Sequence, residues 1–243
     1  MKKTPPRKLI DENGWRTDGR RLDEMRPLRI EAGVLKNADG SAYVELGNNK
    51  VIAAVYGPKE VVPKHDALPD RAVFRCRYTM LPFSVDERKP PQPSRREIEL
   101  SKVIREALAP AIFLSDYPRT AIELYVNILQ ADGGTRTASI IAGSVALADA
   151  GISMKDLVVA IAVGKIGEVL VLDINGIEDQ FGDGDMPIAM MPNRGEITLL
   201  QADGIYTPQQ IEEALNLAQK AFQKIYAEQV RALKSKYEPG EGE

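Results

Sequence analysis

Apolar residues gather in four short runs in the first third of the chain, with polar residues between them: Leu28–Ala32, Ala42–Leu46, Val51–Tyr56 and Ala72–Met80. They are rich in β-branched residues and bounded by Gly, Asn and Pro, a pattern that predicts strands. Gly47-Asn48-Asn49 reads as the hairpin turn between the second and third. After a loop crowded with prolines (Lys89-Pro90-Pro91-Gln92-Pro93-Ser94), Ser94 is placed to cap a helix running from Arg95 to about Phe113. Glu97 holds the capping-box position, and Ile98, Val103, Leu108 and Ile112 form its apolar stripe. A strand is predicted over Thr120–Leu129 and a helix from about Thr135 to Asp149. That helix is almost wholly small and apolar, so it should be buried on most sides. Further strands follow at Leu157–Val163, Val169–Ile174, Met186–Met191 and Glu196–Gln201, then a long helix from Pro208 to about Ser235.

This order departs from strict βα alternation, which disfavours a doubly wound or TIM-barrel fold. It predicts one α/β (α+β) domain, 1–243, with mixed sheets packed on buried helices. Residues 1–20 read as an N-terminal arm and 236–243 as a disordered tail. Composition then narrows the chemistry. Cys76 and His65 are the only residues of their kinds, so an intrachain disulfide is impossible and a zinc site lacks ligands. Cys76 reads as a packed strand residue and His65 as a surface loop residue with no nucleophile motif beside it. No apolar run approaches the roughly 20 residues of a membrane span. The basic N-terminus has no apolar stretch behind it, so a cytoplasmic protein is expected. A net charge of −3 does not advertise nucleic-acid binding, although a local basic patch would suffice for it.

Three segments carry candidate chemistry. Asp132-Gly133-Gly134-Thr135-Arg136-Thr137 sits at a strand-to-helix junction, where glycines admit backbone N–H groups and the helix start favours an anion. It offers a hydroxyl and a guanidinium as well, but it is not a Walker A loop. In Glu178-Asp179-Gln180-Phe181-Gly182-Asp183-Gly184-Asp185, carboxylates crowd a loop between two strands, together with Asp173 and Asn175. Such crowding implies a metal, a proton or solvent, and the spacing fails the EF-hand pattern. Finally, Arg95 and Arg96 at a helix start oppose its macrodipole, which suggests a compensating anion: either Glu97 and Glu99 or, as the sharper hypothesis, an RNA phosphate.

These segments, in this order, resemble the RNase PH family of phosphorolytic 3′→5′ exoribonucleases. Arg16-Thr17-Asp18-Gly19-Arg20, Leu81-Pro82-Phe83-Ser84, Ser94-Arg95-Arg96-Glu97-Ile98-Glu99, Ala146-Leu147-Ala148-Asp149-Ala150-Gly151 and Met186-Pro187-Ile188-Ala189 extend the resemblance over nearly the whole chain. The branch it resembles most is that of the catalytic ring subunits of the archaeal exosome. The resemblance implies a ribosomal protein S5 domain 2-like fold of the RNase PH type. It implies a hexameric ring of three heterodimers with a related, catalytically silent subunit, RNA-binding cap proteins, and single-stranded RNA as substrate. Phosphate binding then falls on Gly134, Thr135, Arg136 and Arg96, and RNA binding on Arg95, Arg96 and Lys64. Catalysis falls on Asp179 and Asp185, which would also hold Mg²⁺ (or Mn²⁺), with inorganic phosphate as co-substrate. The products would be nucleoside diphosphates, and the reaction should reverse into RNA tailing. Three alternatives stand beside this: a homohexameric RNase PH trimming tRNA 3′ ends, a silent RNA-binding ring scaffold, and an Mg²⁺-dependent hydrolase that releases monophosphates.

Overall fold

Nine strands and four α-helices make up the computed structural model, which describes residues 8–237. The outermost part of the N-terminal arm and all but the first two residues of the expected tail lie outside the described residues. Strands β1 (Leu28–Ala32), β2 (Gly40–Leu46), β3 (Asn49–Glu60), β4 (Val73–Met80) and β5 (Thr120–Gln130) form one sheet in the order β1-β2-β3-β5-β4. Its pairings are antiparallel except β4 with β5. The second sheet, β7-β6-β8-β9, uses β6 (Val159–Ile166), β7 (Val169–Leu172), β8 (Gly184–Met191) and β9 (Glu196–Leu200) and is antiparallel throughout. One sheet is therefore mixed and the other is not.

Helices α1 (Arg95–Leu108), α2 (Thr135–Asp149), α3 (Gly176–Phe181) and α4 (Pro208–Ser235) complete the order. α2 touches both sheets, and its residues from Thr137 to Leu147 are all buried, as an all-round apolar helix requires. A single buried apolar cluster joins the two sheets through it, from Ile30 to Ala232.

Several boundaries differ from the sequence reading for identifiable reasons. β3 continues past Tyr56 through Pro58, because a register shift between Tyr56 and Lys59 accommodates a residue that has no N–H. α1 ends at Leu108, where a 3-10 turn containing Pro110 takes over. Its buried face is Leu100, Val103, Ile104, Ala107 and Leu108, while Ile98 is 63 % exposed. The reason is that Glu97, with its capping-box carboxylate also accepting from Met80 N–H, takes the inward position one residue earlier. Residues 8–20 of the arm are docked: Arg16 is buried, donating to Glu178 and to the carbonyls of Leu172 and Asp173. Lys236, expected as the first tail residue, caps α4 and pairs with Asp149 at 2.6 Å.

Candidate active site

β5 and α2 meet at a junction only glycine can make. Gly133 and Gly134 have φ of +69° and +68°, and a Cβ on Gly133 would stand 2.6 Å from the carbonyl carbon of Asn175. With Gly134 as N-cap and no side chain capping α2, the first N–H groups of the helix are left for a ligand. Three residues from elsewhere hold the junction. Asn49 accepts from Asp132 N–H at 2.6 Å and donates to Gly133 O, so it belongs to β3 and the cradle rather than to the predicted hairpin turn. Arg26 donates to the carbonyls of Asp132 and Gly133. Tyr78 OH donates to Thr135 Oγ1 at 3.0 Å.

The segment read as an acidic loop contains a helix. Asn175 caps α3 by accepting from Ile177 and Glu178 N–H, and Glu178 returns the capping box. Most of the acids crowded here are structural. Glu178 is buried against Arg16. Asp173, at φ +56°, accepts from Arg26 backbone N–H (2.8 Å), Nε (2.9 Å) and Nη2 (2.7 Å), which fixes a backbone conformation rare for its type. Asp183 accepts from Gly167 N–H. Asp132 accepts from Gly176 N–H at 3.1 Å, so one carboxylate of the cradle loop caps the acid-bearing helix. Asp179 and Asp185 are left facing open space.

That space is two adjoining clefts of about 720 and 1010 Å³. Gly133, Gly134, Thr135, Ser84 and Lys89 line the first, and Arg95, Gln201 and Asp203 line the second. Arg96, Arg136, Asp179 and Asp185 line both and therefore stand at their junction. Burial pushes both aspartates above the ordinary carboxylate value. For Asp185 the charge of Asp179 adds to this, while Arg96 and Arg136 oppose the rise in each. Arg136 gives Nη1 to Gln201 at 2.7 Å and keeps a buried Nε without a partner. Arg96 makes no ion pair among the described residues.

The structure thus brings together Gly134, Thr135, Arg136, Arg96, Arg95, Asp179 and Asp185, but it places Lys64 elsewhere. Lys64 follows Glu60, which pairs with Thr120 at the opposite end of β5 from the cradle. It is exposed and paired with Glu60 at 2.7 Å. His65 is exposed and Cys76 is packed, its thiol pushed up to about 12 by burial. Sequence reasoning missed Asn49, Arg26, Tyr78 and Asp203 as site residues, and it read Lys89 only as part of a basic, proline-rich loop. None of the first four lies in a motif, and only long-range contacts reveal them. Asp203, for example, exchanges backbone hydrogen bonds of 2.9 and 2.8 Å with Asp185. Among the described residues no group of three His, Cys, Asp or Glu side chains is placed to enclose a metal. Two neighbouring carboxylates with raised affinity for a cation or proton suit a hard divalent ion that completes its shell with water and phosphate oxygens.

Residues 24–153 match the model for domain 1 of the 3′ exoribonuclease family RNase PH, and residues 156–221 match the model for domain 2. The chain belongs to the RNase PH family. It is 61 % identical over 232 residues to exosome complex component Rrp41 of Methanopyrus kandleri, covering 96 % of this chain and 97 % of that one. It is 53 % identical over 235 residues to the component of the same name from Nitrosopumilus maritimus, covering 97 % and 96 %. Among solved structures, rice Rrp46 superposes with a TM-score of 0.82 at 25 % identity, over 90 % of this chain and all of that one. A chain of the Archaeoglobus fulgidus exosome with RNA bound to the active site gives 0.76 at 25 % identity, over 93 % and 94 %.

Proposed function

We propose that this chain is the catalytic subunit of an archaeal-type exosome ring, a phosphate-dependent 3′→5′ exoribonuclease acting on single-stranded RNA in the cytoplasm. It would alternate in the hexamer with a related subunit lacking the acid pair, under RNA-binding cap proteins. The strongest support is the junction of the two clefts. One cleft carries a phosphate cradle, the other carries Arg95 and room for a strand end, and both acids lie where the two meet.

Phosphate held by the α2 amides, Thr135 and Arg136 would face the last phosphodiester of RNA held by Arg95 and Arg96. Two anions must approach within bonding distance, and Arg96 and Arg136, shared by both clefts, offset their repulsion. A phosphate oxygen bonds to phosphorus, and the bond from phosphorus to the 3′-oxygen of the preceding nucleotide breaks. Asp179, whose carboxyl is raised by burial, would serve as the general acid that gives a proton to that departing oxygen. Mg²⁺ (or Mn²⁺) would be held by Asp185, leaving Asp179 to carry the proton, and would supply further neutralisation of charge on the reacting phosphates. The products are a nucleoside diphosphate and an RNA one nucleotide shorter. A phosphodiester is exchanged for an anhydride, so excess diphosphate should drive tailing.

The test uses the chain with its ring partner and a 5′-labelled single-stranded RNA. Shortening that requires inorganic phosphate and disappears in Asp179→Ala is expected. Shortening at full rate without phosphate would overturn the proposal in favour of a hydrolase.

A further inference from the structure

Tyr78 lies on β4 beneath the cradle and is 2 % exposed. Its phenol is pushed up to about 12 by burial, so the hydroxyl keeps its proton at any working pH. A buried donor needs an acceptor, and the partner that Tyr78 OH has is Thr135 Oγ1, at 3.0 Å. A hydroxyl oxygen that accepts in this way still has its own proton to place. For Thr135, which lines the cradle cleft, no acceptor other than the Tyr78 oxygen itself stands within reach of that proton among the described residues. The backbone of Tyr78 is itself fixed: its N–H donates to Ser101 Oγ at 2.9 Å, and its strand runs parallel to β5 with Tyr78 opposite Val126. The donor beneath Thr135 therefore does not drift.

We infer that Tyr78 is a positioning residue of the phosphate site: by donating to Thr135 Oγ1 it turns the Thr135 proton outward, toward an oxygen of the bound phosphate. This rests on the phosphate-dependent reading above and adds to it a residue that never touches the ligand. A hydroxyl held in one orientation loses no rotational freedom when the anion arrives, whereas a free rotor does. A hydrogen bond to an anion is also among the stronger kinds.

The test is a double-mutant cycle in the assembled ring, following phosphate and RNA dependence separately. Tyr78→Phe keeps the ring in the core and is expected to raise KM for phosphate about tenfold, with KM for RNA and kcat at saturating phosphate unchanged. Thr135→Val should raise it at least as much, and the double variant no further, since Tyr78 acts through Thr135. Thr135→Ser retains the oxygen and should restore wild-type phosphate affinity. Titration of inorganic phosphate followed by ³¹P line broadening should rank the variants in the same order without turnover.

Unchanged phosphate affinity in Tyr78→Phe would overturn the inference. So would additive effects of the two single variants, or a parallel rise in KM for RNA. If Tyr78→Phe does not fold, wild-type phosphate affinity in Thr135→Val overturns it instead. The parent reading fails separately, if the wild-type ring shortens RNA without phosphate.

Discussion

Asp179 and Asp185 occupy positions that penalise a carboxylate, which is what a proton donor or a cation ligand requires. Both are raised above the ordinary value of 3.8, first by burial. Between that value and the raised one, these two groups hold more proton in the folded chain than in the unfolded chain. Their contribution to stability therefore falls as pH rises through this window, and their penalty is fully relieved below 3.8. Asp179→Asn and Asp185→Asn are accordingly expected to raise Tm at pH 7, with the gain shrinking as pH falls toward 4. Activity should fall about 100- to 10,000-fold in Asp179→Asn. Calorimetry across pH checks the first statement, and a Tm lowered at pH 7 would contradict it. The residues of this pair were legible in sequence because acids beside glycines are conspicuous. The local residue pattern did not separate Asp179 and Asp185 from Asp173, Glu178 and Asp183, whose arginine and amide partners lie on distant segments; in the sequence only the family resemblance singled out the pair.

α3 and the cradle behave as one unit, because Asp132 caps α3 while Arg26 ties Asp173 to the cradle carbonyls. Removing one partner of the Arg26–Asp173 pair leaves an unpaired buried charge, so Asp173→Ala should cost about 3–5 kcal/mol. Denaturant unfolding measures this, and a loss below 1 kcal/mol would place the pair among surface ion pairs. Gly133→Ala should separate cradle from α3, because its Cβ has no room before Asn175. The expected result is weakened phosphate binding together with destabilisation, and wild-type behaviour in both would refute the coupling. α1 was readable from its cap and apolar stripe, α2 from its run of small apolar residues, and α4 as a long C-terminal helix. α3 was not: six residues with a single capping box give too little periodicity to distinguish a helix from a loop.

The two sheets share one core through α2, and this places β5 and β8, from different sheets, on either side of a single cleft. Sequence order predicted the mixed architecture and all nine strands, but it could not say that β4 returns beside β5 in parallel or that the segment after β9 brings Asp203 to Asp185. Those are long-range pairings without a local signature. Lys64, at the far end of β5, can meet RNA only along a path longer than the cleft, such as a pore built with neighbouring subunits. Full turnover is therefore expected to require the ring partner, and an isolated chain matching the complex in rate would refute this.

The decisive measurement follows the phosphate atoms themselves. Single-stranded RNA is incubated with the assembled ring, Mg²⁺ and ³²P-labelled inorganic phosphate, and the released nucleotides are separated. Phosphorolysis predicts label in the β-phosphate of nucleoside diphosphates, at one label per nucleotide removed and absent in Asp179→Ala. Unlabelled nucleoside monophosphates would contradict it and assign the attacking oxygen to water.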